Sequence, residues 1–322
     1  MLVNGYTGES IMSTSHSITA DSVVEIKSVK ASNLDAENAI RKLGPDSLMW
    51  RDFGTYLYQF ILPQAFILQS AHPMVDRAVS VDKKYKLNPW GRAKDSLKLL
   101  WPVVYSKPQD AIDMGVRLRE LHRSIKGTDS NGKKYHALDP EAYAFVHMTG
   151  YDALLRLYRY FSNHRLTPKE RAMLFEEWKA MGTMLGIIDR SLPQTEAEYW
   201  ERYNHILDNV LEKGPVLDDL LDPLFIYKNY PRPPKSKMPM PVWKAIALVW
   251  GYTQHKVIVG TLPEQFRTRI GLRYNKLDQL LFNSFAWTVR TFYPMLPEEK
   301  QYLPSIWRIV RDAREHPQAY QL

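Results

Sequence analysis

One stretch of the sequence, residues 53–71, carries no charged side chain and is about as long as a helical membrane span. Its polar or helix-weakening members, which are costly in lipid but tolerable inside a protein, are Gly54, Gln59, Pro63, Gln64 and Gln69. The stretch therefore predicts an apolar helix buried in a protein core rather than a span. We expect this helix to begin after Gly44, to bend at Pro63 and to end near His72, because Pro73 follows.

Helical spacing dominates the rest of the chain, and no run of residues alternates as an exposed strand would. The signals for individual helices are an apolar stripe from Ala111 to Ile125, an N-cap at Asp139 before Pro140, capping boxes of Thr167 with Glu170 and Thr195 with Glu198, and stops at Gly127, Gly186 and Gly214. A proline-rich stretch over residues 223–241 predicts an exposed, extended strap. The predicted fold is all-α: a flexible arm over residues 1–40, then a single large helical bundle over 41–322 that encloses a buried cofactor cleft.

Composition narrows the classes of function. The chain has 322 residues and no cysteine, which excludes disulfides, thiolate nucleophiles, iron–sulfur clusters and thiolate-ligated haem. Its net charge of +8 is scattered and no nucleic-acid-binding motif is present, so nucleic acid is not expected as a partner, whereas peripheral contact with an anionic membrane is compatible with the charge. Residues 1–39 lack a basic segment followed by an apolar one, which predicts a cytoplasmic location.

Common catalytic motifs are also missing from the sequence. It contains no His-Glu-x-x-His zinc motif, Gly-x-Ser-x-Gly elbow, phosphate loop, Rossmann glycine pattern or Glu-x-x-His di-iron motif. Hydrolase, kinase and di-iron functions therefore lose their usual sequence support.

Three histidines fall on or at the ends of apolar helical faces. His122 lies four residues after Leu118, His147 lies in the seam of the helix that follows Pro140, and His72 ends the uncharged run. A lone histidine on such a face is more often a core residue bonded to a carbonyl, but one imidazole projecting into an apolar cleft also suits haem iron. The candidate partners for the haem propionates are the cations Arg77, Lys83, Lys84 and Arg92.

Several motifs, in this order along the chain, resemble the MpaB-type and rubber-oxygenase (latex-clearing protein) superfamily of helical b-type haem proteins. They are Leu68-Gln-Ser-Ala-His-Pro-Met-Val75, Asn88-Pro-Trp-Gly-Arg92 with Ser96, Val116-Arg-Leu-Arg-Glu-Leu-His-Arg-Ser-Ile-Lys-Gly127, Tyr135-His-Ala-Leu-Asp-Pro-Glu141, Phe145-Val-His147, Gly186 with Leu192-Pro193, and Leu262-Pro-Glu-Gln-Phe-Arg-Thr-Arg-Ile-Gly271. The resemblance spans about residues 44 to 315 and is closest to the MpaB-like branch.

The resemblance implies haem b as cofactor, with His122 as the proximal ligand of the iron and Arg117 completing its Arg-x-x-x-x-His pattern. It implies that Arg92, with Ser96, acts on bound oxygen or on a propionate, and that His72 and His147 hydrogen-bond near the haem or complete its ligation. Where the rubber-cleaving branch has Lys and Thr after this arginine, this chain has Asp95 and Ser96. Lysine capping of the iron and rubber as substrate are therefore not expected.

These observations favour a haem b oxygenase that uses O2 on an apolar, isoprenoid-type substrate and cleaves a carbon–carbon double bond. Two alternatives remain open at the level of sequence. One is a helical protein that binds haem or lipid without turnover, and the other is a non-haem metal enzyme that uses His72, His122 and His147 as ligands.

Overall fold

The computed structural model describes residues 35–188 and 190–322. Its α-helices after residue 47 are α1 (Leu48–Asp52), α2 (Tyr56–Ser70), α3 (Pro73–Asp82), α4 (Lys84–Leu87), α5 (Pro89–Leu100), α6 (Pro102–Tyr105), α7 (Pro108–Ser124), α8 (Pro140–Tyr160), α9 (Pro168–Met184), α10 (Glu196–Asn209), α11 (Pro215–Leu220), α12 (Phe225–Asn229), α13 (Met240–Thr261), α14 (Glu264–Arg269), α15 (Lys276–Phe292), α16 (Glu298–Gln301) and α17 (Pro304–Glu315). Short 3-10 turns, Tyr293–Met295 and Pro317–Tyr320, follow α15 and α17. The all-α fold predicted from the sequence is confirmed.

A small hairpin joins α7 to α8. Its strands, β1 (Lys126–Thr128) and β2 (Lys134–His136), pair antiparallel with Gly127 opposite Tyr135. Strands of three residues are too short to show an alternating pattern, which is why the sequence did not indicate them.

The uncharged run forms the centre of the core, as predicted. Helix α2 packs along α8, and Ile61, Ala65 and Leu68 of α2 are fully buried. Pro63 lies inside α2, which ends at Ser70. The expected single helix from Gly44 is instead two, because the Thr55 side chain accepts a hydrogen bond from the Tyr58 amide and starts α2 afresh. Across residues 35–188 and 190–322, no helix combines the length and apolar character needed to cross a bilayer.

Local capping signals place most of the remaining helix starts. Asp139 caps α8, and Thr167 with Glu170 forms the complete capping box of α9. Thr195 caps α10, but the Glu198 carboxylate bonds the amide of Gln194 rather than that of Thr195. Gly214 precedes α11 as its N-cap, whereas α10 already ends at Asn209.

Two predicted segments at the edges of the bundle can be placed only in part. The predicted arm falls mainly on residues 1–34, outside the described residues, while residues 35–40 are helical and bury Ala39 and Ile40. The proline-rich stretch contains the short helix α12, and residues 231–239 after it form neither helix nor strand.

Candidate functional site

Helix α7 presents His122, and a close contact with the end of α9 positions this helix. A Cβ added to Gly115 would lie 2.4 Å from the carbonyl oxygen of Met184, so only glycine permits this approach. Ala111 and Leu118 share the buried face of α7 with Gly115. His122 follows Leu118 by one turn and stands where this face reaches the surface, half-buried.

The hydrogen bonding of His122 selects one tautomer of its imidazole. Its Nδ1 lies 2.7 Å from the carbonyl oxygen of Leu118. Because a carbonyl can only accept, Nδ1 carries the proton and Nε2 keeps its lone pair. Among the described residues, none hydrogen-bonds Nε2. A histidine held through Nδ1–H by a backbone carbonyl, with Nε2 free, is the usual state of a metal-ligating imidazole.

The surroundings of His122 are apolar on one side and cationic on another. Its ring lies 5.5 Å from that of Tyr143 on α8. Leu121 on α7 and Ile125, the residue that follows this helix, are large apolar side chains exposed close to it in the chain. Burial lowers the pKa of His122, and the positive charge of Arg92 lowers it further, against the opposing effect of the Leu118 carbonyl. The imidazole is therefore neutral at pH 7 and its lone pair is available.

Arg92 and Ser96 lie one turn apart on α5, and both side chains are exposed. Helix α5 contacts α7, so tertiary packing brings Arg92 and His122 near each other, and the charge of Arg92 is one cause of the lowered pKa of His122. The Ser96 hydroxyl donates to the carbonyl oxygen of Arg92 at 2.9 Å, and this bond occupies its proton. The Arg92 side chain, in contrast, has no hydrogen-bond or ion-pair partner within residues 35–188 and 190–322.

Arg117 and Arg119 both lie on α7. The sequence analysis assigned Arg117 to the cofactor site, and it is the more exposed of the two. Arg117 is exposed and has no ion-pair partner among the described residues. Arg119 is half-buried and donates to the carbonyl oxygen of Gly186. Burial raises the pKa of Tyr143 to about 12, and the positive charge of Arg119 opposes this rise. The Tyr143 hydroxyl donates to the carbonyl oxygen of Leu185 at 3.0 Å. Sequence reasoning favoured a core role for Tyr143 and missed Arg119, whose only signal was its place in the Arg-Leu-Arg segment of the α7 motif.

His147 is buried in the contact between α8 and α9. Its Nε2 donates to the carbonyl oxygen of Trp178 at 2.8 Å, and its ring stacks on that indole at 4.7 Å. The Trp178 Nε1–H donates in return to the carbonyl oxygen of His147 at 3.1 Å. This reciprocal pair is a bridge between two helices, so the geometry favours a structural role for His147.

The buried state of His147 predicts a pH-dependent stability. Burial lowers its pKa to about 4, so between pH 6.5 and pH 4 the unfolded chain binds a proton that the folded chain does not. The contribution of neutral His147 to the stability of the fold is therefore complete above pH 6.5 and is lost as the pH falls towards 4. Between pH 7 and pH 4, the free energy of unfolding measured with urea should fall by up to about 3 kcal/mol more in the wild type than in His147→Gln. Equal losses in both proteins would contradict this role.

His72 acts as the N-cap of α3. Its Nδ1 accepts a hydrogen bond from the Met74 amide at 3.3 Å, which leaves the proton on Nε2. That Nε2 is enclosed and lies 3.6 Å from Oε1 of Glu141. Burial lowers the pKa of His72, and the nearby Glu141 opposes this shift. Neither nitrogen is placed as a free metal ligand.

The three histidines do not converge. Over residues 35–188 and 190–322, no group of three or more His, Asp or Glu side chains is arranged to hold a metal ion. The hypothesis of a non-haem metal centre built from His72, His122 and His147 therefore lacks structural support. Haem needs only one axial nitrogen from the protein, and His122 fits that requirement with its free Nε2 and apolar neighbours.

A separate polar cavity of about 420 Å³ lies among α8, α10 and α14. It is distant from His122, because Tyr143 and Arg156 are thirteen residues apart on α8, or roughly 20 Å. Its Arg156 and Arg267 already donate to the carbonyl oxygens of Thr261 and Val259. This cavity is not part of the histidine site.

The chain carries an oxygenase-type catalytic domain. Residues 50–291 match the family described as ER-bound oxygenase mpaB/B'/Rubber oxygenase, catalytic domain, and the chain belongs to that family. The matched range includes Arg92, His122 and Tyr143. No curated protein and no solved structure matches the chain. The family resemblance inferred from the motifs is therefore confirmed.

Proposed function

We propose that this protein is a haem b-dependent oxygenase that uses O2 on an apolar, isoprenoid-type substrate, with oxidative cleavage of a carbon–carbon double bond as its reaction. The observation that carries the proposal is the state of His122: Nδ1 is held by the Leu118 carbonyl and Nε2 is free at a half-buried site. Membership of an oxygenase family supports the same chemistry.

In this proposal the Nε2 of His122 would bind the haem iron. Haem, when bound, supplies the activation of O2. Leu121 and Ile125 would cover the porphyrin, which explains why two large apolar side chains are exposed beside a polar imidazole. Tyr143 would hold the ring of His122 in place from α8.

The cations of the site have separate roles. Arg92 would orient O2 or bind a propionate, with Ser96 supporting the turn of α5 that carries it. The exposed Arg117 is a second candidate for a propionate, whereas Arg119 is already bonded to Gly186. The proposal assigns His72 and His147 to positioning the helices around the site.

Oxygen uptake with haemin-reconstituted protein tests the proposal. We expect oxygen uptake that depends on a farnesyl or polyprenyl substrate. The variant Arg92→Ala should retain most of its haem, but its kcat should be lower by about a hundredfold. Lys94→Ala, an exposed cation two residues away on α5, is the matched control and should leave kcat unchanged. Stoichiometric haem without any substrate-dependent uptake would instead indicate a haem-binding protein without turnover.

A further inference from the structure

Two neighbouring helices far along the chain present large apolar side chains to solvent. We call this the apolar face and define it by Ile246, Val249 and Trp250 on α13 and by Leu280, Leu281 and Trp287 on α15. Val249 is 68% exposed, Leu280 61% and Trp287 57%. Soluble proteins seldom expose so many large apolar groups together without a partner.

The two helices contact each other, and aromatic side chains of both lie against the same residue of α2. Lys256 on α13 donates to Asp278 on α15 at 2.5 Å, and a Cβ on Gly260 would lie 2.8 Å from the ring of Phe282. Further along, the rings of Trp250 and Phe285 both contact that of Phe60, at 6.4 and 5.9 Å. On α13 the face includes a shallow groove of about 430 Å³ lined by Ala245, Ile246, Val249, Trp250 and Thr253.

The charge around the apolar face is cationic. Residues 223–263 contain no Asp or Glu but contain Lys228, Arg232, Lys235, Lys237, Lys244 and Lys256, and residues 279–297 contain Arg290 and no acid. Of the acids that flank these stretches, Asp222 pairs with Lys228 at 2.6 Å, Asp278 with Lys256 and Glu298 with Arg314. Lys235 and Lys237 have no ion-pair partner among the described residues.

This combination suits a lipid surface better than a second copy of the chain. A symmetric dimer through the face would bring two cationic rims together, and like charges repel. An anionic bilayer supplies the opposite charge, and aromatic side chains such as Trp250 and Trp287 are favoured at the level of lipid headgroups.

We propose that the apolar face docks the protein on the surface of a bilayer that contains anionic lipids. The exposed apolar side chains of α13 and α15 enter the headgroup region, and the lysines before α13 contact the anionic headgroups. This inference goes beyond the proposed function and does not depend on it.

Co-sedimentation of the full chain with vesicles tests the proposal. We expect binding to vesicles of equimolar phosphatidylcholine and phosphatidylserine, weaker binding to phosphatidylcholine alone, and a loss of that difference at high salt. The double variant Val249→Glu with Leu280→Glu should bind at least about tenfold more weakly, since two inserting side chains become charged. Lys235→Glu should weaken binding to the anionic vesicles by about fivefold.

Met173→Glu on α9 is the matched control, because Met173 is an exposed apolar side chain of another helix and its replacement should not affect binding. Thermal unfolding of each variant checks that it folds, and Trp287→Glu tests the same face should the double variant fail to do so. Absence of binding to both vesicles would overturn the proposal, as would equal binding by all variants. A dimer in sedimentation velocity that the double variant dissociates, together with no vesicle binding, would assign the face to a second copy instead.

Discussion

Replacement of His122 by alanine is expected to remove most haemin binding. The proximal nitrogen is lost, while the Leu118 carbonyl that held it can bond water at this half-buried position. In a titration of purified protein with haemin, the Soret band of His122→Ala should be strongly weakened, and its apparent affinity should fall at least about tenfold, which corresponds to roughly 1.4 kcal/mol. Added imidazole should restore part of the band, because it replaces the missing ligand.

His164→Ala is the matched control for this experiment. His164 is an exposed histidine that pairs with Glu170 at 2.9 Å outside the proposed site, so its loss should leave the spectrum unchanged. If His122→Ala kept both the wild-type spectrum and the wild-type haem content, the assignment of the ligand would be wrong.

Replacement of Asp152 by alanine is expected to lower the free energy of unfolding more than the other single substitutions proposed for this protein. The buried carboxylate accepts hydrogen bonds from Gln64 on α2 at 3.2 Å, from Tyr203 on α10 at 2.9 Å and from Arg156 at 2.7 Å. Its removal leaves the Arg156 guanidinium buried without its counter-charge, which costs about 3–5 kcal/mol. Urea unfolding followed by circular dichroism measures this loss.

An exposed ion pair provides the control for Asp152. Glu315 lies 3.7 Å from Arg311 on the surface of α17, and Glu315→Ala should change the free energy of unfolding by less than about 1 kcal/mol. A cost for Asp152→Ala as small as that of Glu315→Ala would mean that the network does not join α2, α8 and α10 as the structure indicates.

Helix starts were the part of the fold most readily predicted from sequence. The capping box of Thr167 with Glu170 and the N-cap at Asp139 involve residues three apart in the chain. The hydrogen bonds that define them can therefore be predicted from a short segment of sequence. Gly214 was assigned wrongly as a stop because the same residue type serves at the start of a helix, and only its backbone geometry distinguishes the two.

The candidate site could be predicted only in part. Periodicity placed His122 beside the buried stripe of α7, and the family resemblance singled it out among the histidines. Nothing in the sequence showed that Tyr143 would contact its ring, or that Arg119 rather than Arg117 would be half-buried. The same spacing that placed His147 in a helical seam did not reveal that its partner is the Trp178 carbonyl, thirty-one residues away.

By itself, the sequence determined the all-α class, the buried central helix, most helix boundaries and the family, because these depend on hydrogen bonds and apolar spacing between near neighbours in the chain. Tertiary structure decided which histidine keeps a free nitrogen. Each imidazole has two nitrogens, and the choice depends on the group packed against them: the Leu118 carbonyl for His122, the Trp178 carbonyl for His147 and the Met74 amide for His72. Packing of α5 against α7 likewise decided that Arg92 and His122 share a site, because residues thirty positions apart meet only when the helices that carry them do.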